Sequence, residues 1–241
     1  GLLSSGLTIA LAYFTYHLLA GGQLGREFVS YAGTSDYMSY VTLGAAVYMF
    51  AVSILLGVSR SLITERREGT LESLLLAPAR RFGYFMGVTL QWTITSIGEV
   101  VVMLLVAWPL GLNLSHIQPV TLILAVVVAL IGLFGMSMVL GAIMLATRDT
   151  YLSQNTLFVC MLVVCGITFP PKYLPPLLQA LGTALPVTGG LYLLRSALLY
   201  GAPPMTVIGE ATVYTLLGCS YVLLGLWLMR WAERRALEGV I

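Results

Sequence analysis

Val120–Ala146, VTLILAVVVALIGLFGMSMVLGAIMLA, decides what kind of protein this is. No charge interrupts it, and as a helix it would span roughly 40 Å, more than the roughly 30 Å of a bilayer's hydrocarbon core. Lipid offers no partner to an open backbone group, so such a segment crosses as a helix whose hydrogen bonds close on themselves. Five further runs share its character: Leu2–Ala20, Leu43–Val58, Phe82–Trp108, Tyr151–Phe169 and Ala211–Met229. They are continuously apolar and do not alternate, unlike the strands of a membrane barrel. With 59% hydrophobic and 9% charged residues, the chain has too few charges to clothe a water-soluble surface. The expectation is an all-α membrane protein with six transmembrane helices, a single domain over residues 1–241, and not a soluble enzyme.

No basic segment precedes the first run and no small-residue cleavage site follows it, so it reads as a span and not as a signal peptide. The chain starts at Gly1 already inside that span, and a cytoplasmic segment ahead of it is expected.

Six spans put loops 59–81 and 147–150 and the tail from Arg230 on one side. Loops 21–42, 109–119 and 170–210 fall on the other. Arg60, Arg66, Arg67, Arg80, Arg81, Arg148, Arg230, Arg234 and Arg235 lie on the first side, and only Arg26, Lys172 and Arg195 on the second. Cytoplasmic loops carry the excess of Lys and Arg, which places the first side and both termini in the cytoplasm of a multi-pass plasma or inner membrane protein. Tyr173–Leu194 is also uncharged, but Pro175, Pro176 and Pro186 break it, and a seventh span would carry the basic tail outside. A re-entrant hairpin over 170–200, with short helices at Pro175–Leu185 and Thr188–Leu199, is expected instead, buried in protein or lining a wet cavity.

The most polar stretch is the cytoplasmic loop Arg60–Arg81. Within it Leu71, Leu74, Leu75 and Pro78 recur at helical spacing, Thr70 is placed to cap, Glu72 suits the first turn, and Pro78 ends the run. A short amphipathic helix resting in the headgroups is one account. Docking to a cytoplasmic partner is the other, and Glu65, Glu68 and Glu72 among the arginines favour it, because a lipid-facing helix would be basic.

Glu65-Arg-Arg-Glu-Gly-Thr-Leu-Glu-Ser-Leu-Leu-Leu-Ala-Pro78 resembles the coupling-helix motif of the type-2 ATP-binding-cassette (ABC) exporter permeases. Phe169-Pro170, then Leu185-Pro186-Val-Thr188, Arg195 and Gly201, resemble the same family's extracellular hairpin. The likeness covers nearly the whole chain in order. It implies a coupling helix at 65–78 between spans two and three, where Glu65, Arg66, Glu68, Gly69, Thr70, Leu71, Glu72, Leu74, Leu75, Ala77 and Pro78 meet a separate ATPase subunit. It further implies two such ATPase copies holding ATP and Mg, a second permease copy, export through the dimer interface, and a gate at Phe169, Pro170, Pro186, Thr188 and Arg195. The family usually has an amphipathic cytoplasmic helix ahead of the first span, and this sequence begins too late to show one.

The chain itself should bind no cofactor, metal or nucleic acid and carry no catalytic residue. Its one lysine, Lys172, is followed by Tyr173, which no phosphate-binding Gly-Lys-Ser/Thr loop allows. Leu19-Ala-Gly-Gly-Gln23 echoes an ABC signature only by chance. Paired aspartates, a histidine cluster and a Gly-x-Ser-x-Gly elbow are missing, which argues against a membrane enzyme. Cys160, Cys165 and Cys219 fall within spans as small apolar residues, and His17, His116 and the triplet Asn113-Leu-Ser115 receive no role.

Glu99 is the one acidic residue deep in a span. Inserting it costs roughly 2.5–3.5 kcal/mol, so it should face a cavity or a partner: a Ser, Thr or Tyr hydroxyl on a neighbouring helix, or a cationic substrate. Tyr13, Tyr16, Tyr31, Tyr37, Tyr40 and Tyr48 read as an aromatic belt, with Tyr13 and Tyr48 as further candidates for a substrate pathway. Gly132, Gly135, Gly218 and Gly225 should let helices approach closely. The cargo expected from these apolar walls is a small amphiphilic or hydrophobic compound, drug or lipid-like, outside the cell. An ion-driven secondary transporter is the alternative, although it would normally need more buried ionisable groups than Glu99.

Overall fold

The computed structural model describes residues 10, 13, 14, 26–69, 81–114, 117–147 and 151–238, and all regular secondary structure among them is helical. A short helix α1 (Arg26–Ala32) precedes α2 (Tyr37–Arg67) and α3 (Arg81–Ala107), which ends in a 3-10 turn at Trp108–Leu110. Then come α4 (Pro119–Thr147), α5 (Tyr151–Val164), a 3-10 turn at Pro171–Tyr173, α6 (Pro176–Ala184), α7 (Pro186–Leu198) and α8 (Pro204–Glu238).

Four helices are long and apolar enough to cross a membrane, through Tyr37–Val58, Met86–Leu110, Pro119–Met144 and Pro204–Trp231. They are not equivalent. The α2 window is 72% buried inside the protein, against 22% for α3 and 17% for α8, so α2 is the central rod and the other two turn broad apolar faces outward. The most extensive pairing joins α4 to α8. Lipid is as apolar as leucine, so close backbone approach has to supply what hydrophobic burial supplies in water. A methyl group on Gly135 would lie 2.8 Å from the Gly218 carbonyl oxygen, and one on Gly218 3.1 Å from the Gly132 nitrogen. The expected role of these glycines is thus seen at the atoms.

Several boundaries differ from expectation. The second span, expected at 43–58, belongs to a helix running from 37 to 67, and the last, expected at 211–229, to one running from 204 to 238. Apolar runs mark what lipid covers, whereas helices start and stop at caps. Asp36 accepts the Ser39 N–H at 3.0 Å and the Ser39 hydroxyl at 2.6 Å, an N-cap that starts α2. Pro204 opens α8 at the first helical position, where a missing N–H is harmless.

The fifth run, expected to span 151–169, is helical only to Val164, because Gly166 turns the chain with φ +70° and Pro170 and Pro171 follow. Its apolar segment, Asn155–Val164, is shorter than the other four. Helices α6 and α7 meet at 86°, with Pro176 and Pro186 each at a first helical position. The expected hairpin has its break at Leu185, and the second helix starts two residues earlier than expected. The first expected span, 2–20, lies outside the described residues apart from positions 10, 13 and 14, as do positions 70–80 of the expected coupling helix.

Candidate functional site

A guanidinium holds the hairpin end of the bundle together. Arg195, on α7, is 6% exposed. Its Nη1 donates to the Gly166 carbonyl at 2.8 Å, and its Nη2 to the carbonyls of Ile167 and Tyr40, each at 2.9 Å. The guanidinium carbon lies 3.4 Å from the centroid of the Tyr40 ring. The turn after α5 needs such a donor. Gly166 and Ile167 lie beyond the helix, where buried carbonyls have no ladder to join and still need donors, and a planar fork of N–H groups answers several at once. One side chain thereby pins α7 to the 165–169 turn and to α2.

Gly44 makes the room for this contact. A methyl group there would lie 2.0 Å from the Ile167 carbonyl oxygen and 2.8 Å from Arg195 Nη2. The Thr188 hydroxyl donates to the Gly182 carbonyl at 2.5 Å across the hairpin bend. Buried Pro186 packs against Gly132 of α4, buried Pro170 and half-buried Phe169 lead into the hairpin, and the Tyr221 hydroxyl of α8 donates to the Ala184 carbonyl at 3.1 Å. Tyr200, just past α7, donates to the Ala32 carbonyl. Burial holds the Tyr200 phenol above its ordinary value, Arg195 opposing this in part, so it stays a donor at neutral pH. The five residues expected at a hairpin, Phe169, Pro170, Pro186, Thr188 and Arg195, all belong to one packed unit.

Sequence reasoning missed the other half of that unit. Tyr40, assigned to an aromatic belt, is 3% exposed and lies under Arg195. The belt assignment is wrong for it, because a tyrosine ring beside a buried guanidinium gains more from the cation than from the headgroups. Tyr31 does sit at an exposed edge, 5.1 Å from Tyr173 in an edge-on pair and 5.8 Å from Lys172 Nζ. A glycine at position 44 inside an apolar helix was the one available hint of close approach.

Deeper in, the Ser53 hydroxyl of α2 donates to Glu99 Oε2 of α3 at 2.8 Å, the kind of partner expected for Glu99. Tyr48 leans toward α5, its hydroxyl 3.5 Å from the Phe158 carbonyl oxygen, a long contact of little strength. Tyr13 packs with Met38, Ala45, Met49 and Met103. Tyr13 therefore lies along the same α2–α3 seam as Glu99, whereas Tyr48 turns from α2 toward α5. An apolar cleft of about 530 Å³ lies elsewhere, lined by Met136, Leu140, Leu157, Cys160, Leu185 and Tyr221 among others. Among the described residues no group of His, Cys, Asp or Glu could hold a metal ion.

At the opposite end, Glu65 and Arg66 are the last turn of α2 and not a separate helix. The Glu68 N–H still bonds back to the Thr64 carbonyl at 3.0 Å, and exposed Gly69, at φ +72°, turns the chain away. Half-buried Glu65 lies within electrostatic reach of Tyr84 at the start of α3. Thr70, Leu71, Glu72, Leu74, Leu75, Ala77 and Pro78 are outside the described residues.

The family model described as ABC-2 type transporter matches the chain over residues 3–199. No curated protein matches it.

Proposed function

Because the chain belongs to the ABC-2 type transporter family and is a membrane permease of an ABC transporter, we propose that it works as an exporter driven by a separate cytoplasmic ATPase. In this reading two ATPase copies, holding the ATP and Mg, dock on a homodimer of the chain at Glu65–Pro78. Six spans with both termini in the cytoplasm then carry a small amphiphilic or hydrophobic compound outward by alternating access.

The observation that carries the reading is the continuity of α2. One unbroken helix of 31 residues runs from Tyr37 to Arg67, about 46 Å at 1.5 Å per residue. Its outer end carries Tyr40, whose carbonyl and ring hold Arg195 of the hairpin. Its inner end carries Glu65 and leads into Glu68 and Gly69. A helix this well buried does not bend freely, so a displacement at the loop reaches Arg195 as a displacement of the rod. The hairpin, anchored to α2 through Gly44 and Arg195, is where that movement would open or close the outer side.

The test is co-purification of an ATPase with the tagged chain, followed by charge reversal at Glu68 and Glu72. The expected result is a double variant that inserts and binds ATPase yet no longer couples hydrolysis to transport. Transport at the wild-type rate, or a functional chain with no ATPase bound, would sink the mechanism.

A further inference from the structure

Helix α3 presents polar groups where a purely lipid-facing helix presents none. Gln91 and Thr95 are exposed on it four residues apart, and exposed Gly98 and half-buried Glu99 follow one turn later. Ile94 and Val102 stand beside them at 66% and 47% exposure. A methyl group on Gly87 or Gly98 would meet no atom within 4 Å, so the face is open along its length. Hydrocarbon cannot serve an exposed amide or carboxylate. The Thr95 hydroxyl donates to the Gln91 carbonyl of its own helix at 3.2 Å, so the groups that need a partner lipid cannot supply are the Gln91 amide and the Glu99 carboxylate, and an intramembrane acid marks a pathway by default.

The depth is informative. Ser53, which holds Glu99, lies seven residues outward of Arg60 on α2 and 17 inward of Asp36, or about 10 Å and about 25 Å along the helix. On its own helix Glu99 stands at the middle of the apolar span Met86–Leu110, so with Arg60 and Arg81 on the cytoplasmic side the carboxylate lies near the bilayer midplane, with Gln91 about 12 Å nearer the cytoplasm. The chemistry narrows the partner. The recorded partner of the carboxylate is neutral Ser53, so its charge is uncompensated among the described residues. One carboxylate and one hydroxyl are too few ligands for a hard metal ion, which needs about six oxygens. They suffice for an organic cation that brings its own apolar surface to Ile94 and Val102.

We infer that Glu99 is the counter-charge for a lipophilic cation that enters from the inner leaflet along the Gln91–Thr95 face of α3, with Ser53 positioning the carboxylate. This names a substrate class for the exporter proposed above and rests on that reading for its direction. Attraction between opposite charges is stronger away from bulk water, and the apolar flanks of Ile94 and Val102 disfavour the hydrated ammonium of a polar amine.

The experiment uses the purified full-length chain in detergent, with tetraphenylphosphonium as the cationic probe and Nile red as a neutral lipophilic control. Glu99→Gln should weaken tetraphenylphosphonium binding about tenfold or more, as loss of a charge pair predicts, and leave Nile red within about twofold. Glu99→Asp should recover most of the cation binding. Equal affinity of wild type and Glu99→Gln for the cation, or equal loss of both probes, overturns the inference. A second measurement needs no variant: saturating tetraphenylphosphonium should protect Glu99 of the wild-type chain from dicyclohexylcarbodiimide, read by peptide mass spectrometry. Undiminished labelling also overturns it. Neither readout involves an ATPase. A chain that binds the cation but recruits no ATPase sinks the export reading alone, and one that recruits ATPase but shows no charge-dependent binding sinks the cation site alone.

Discussion

Arg195 and Glu99 are two ionisable groups within the apolar body of one protein, and the structure treats them in opposite ways. Arg195 is buried, with three backbone carbonyls as acceptors and a tyrosine ring against its face. Glu99 is half-buried, with one serine hydroxyl, on a helix whose outer face is open. A charge held by three of the protein's own backbone carbonyls is part of the fold. A charge left with one neutral partner is available for something that comes and goes. The contrast predicts that stability depends on the first and selectivity on the second.

The largest effect should follow Arg195→Met. It leaves the carbonyls of Gly166, Ile167 and Tyr40 without their donor in a site closed to water, and removing one member of such a buried set costs about 3–5 kcal/mol. A thermal melt of the detergent-purified protein should show a marked fall or no folded material. Arg195→Lys should lie between the two, since an ammonium neither forks across the turn nor stacks flat on Tyr40. A melt unchanged in Arg195→Met would erase the distinction between the two charges.

Gly44→Ala comes next. Its methyl group would lie 2.0 Å from the Ile167 carbonyl oxygen, a backbone atom, so α2 and the 165–169 turn must separate at a cost of about 1–3 kcal/mol. Asp36→Ala should cost about 1 kcal/mol through the lost N-cap of α2, visible as a smaller shift in the same melt. If Asp36→Ala outweighs Gly44→Ala, this end of the bundle is held by the start of α2 and not by the guanidinium.

How much of this was legible in the sequence depends on the range of the forces involved. Continuous apolarity is a local property, so the existence of α2, α3, α4 and α8 could be read directly. Pro175, Pro176 and Pro186 forbid a straight helix, so the hairpin and its break near Leu185 could be read too. Glu99's need for a hydroxyl partner followed from the cost of an unsatisfied acid, but not that Ser53 supplies it, since nothing in one helix names the residue opposite on another. Tyr40 shows the same limit. Its ring belongs to Arg195, which is 155 residues away in the chain, and a tyrosine near a helix end reads as an interfacial anchor until that neighbour is seen. Helix ends were missed because Asp36 and Gly166 act through backbone geometry that hydropathy does not register.

The smallest expected effects on stability are the sharpest test of the comparison. A methyl group on Gly98 meets nothing within 4 Å, and alanine is the better helix former by about 1 kcal/mol. Gly98→Ala should therefore melt at or slightly above the wild-type temperature, where Gly44→Ala melts below it. Glu99→Gln keeps an acceptor for Ser53 and should likewise fall within about 1 kcal/mol of wild type. If both variants are as stable as predicted and cation transport is lost in Glu99→Gln, α3 carries function that the fold does not need. A large loss of stability in Glu99→Gln would mean instead that the Ser53 bond clamps α2 to α3 as Arg195 clamps the hairpin. Glu99 would then belong to the architecture, and the polar face of α3 would need another explanation.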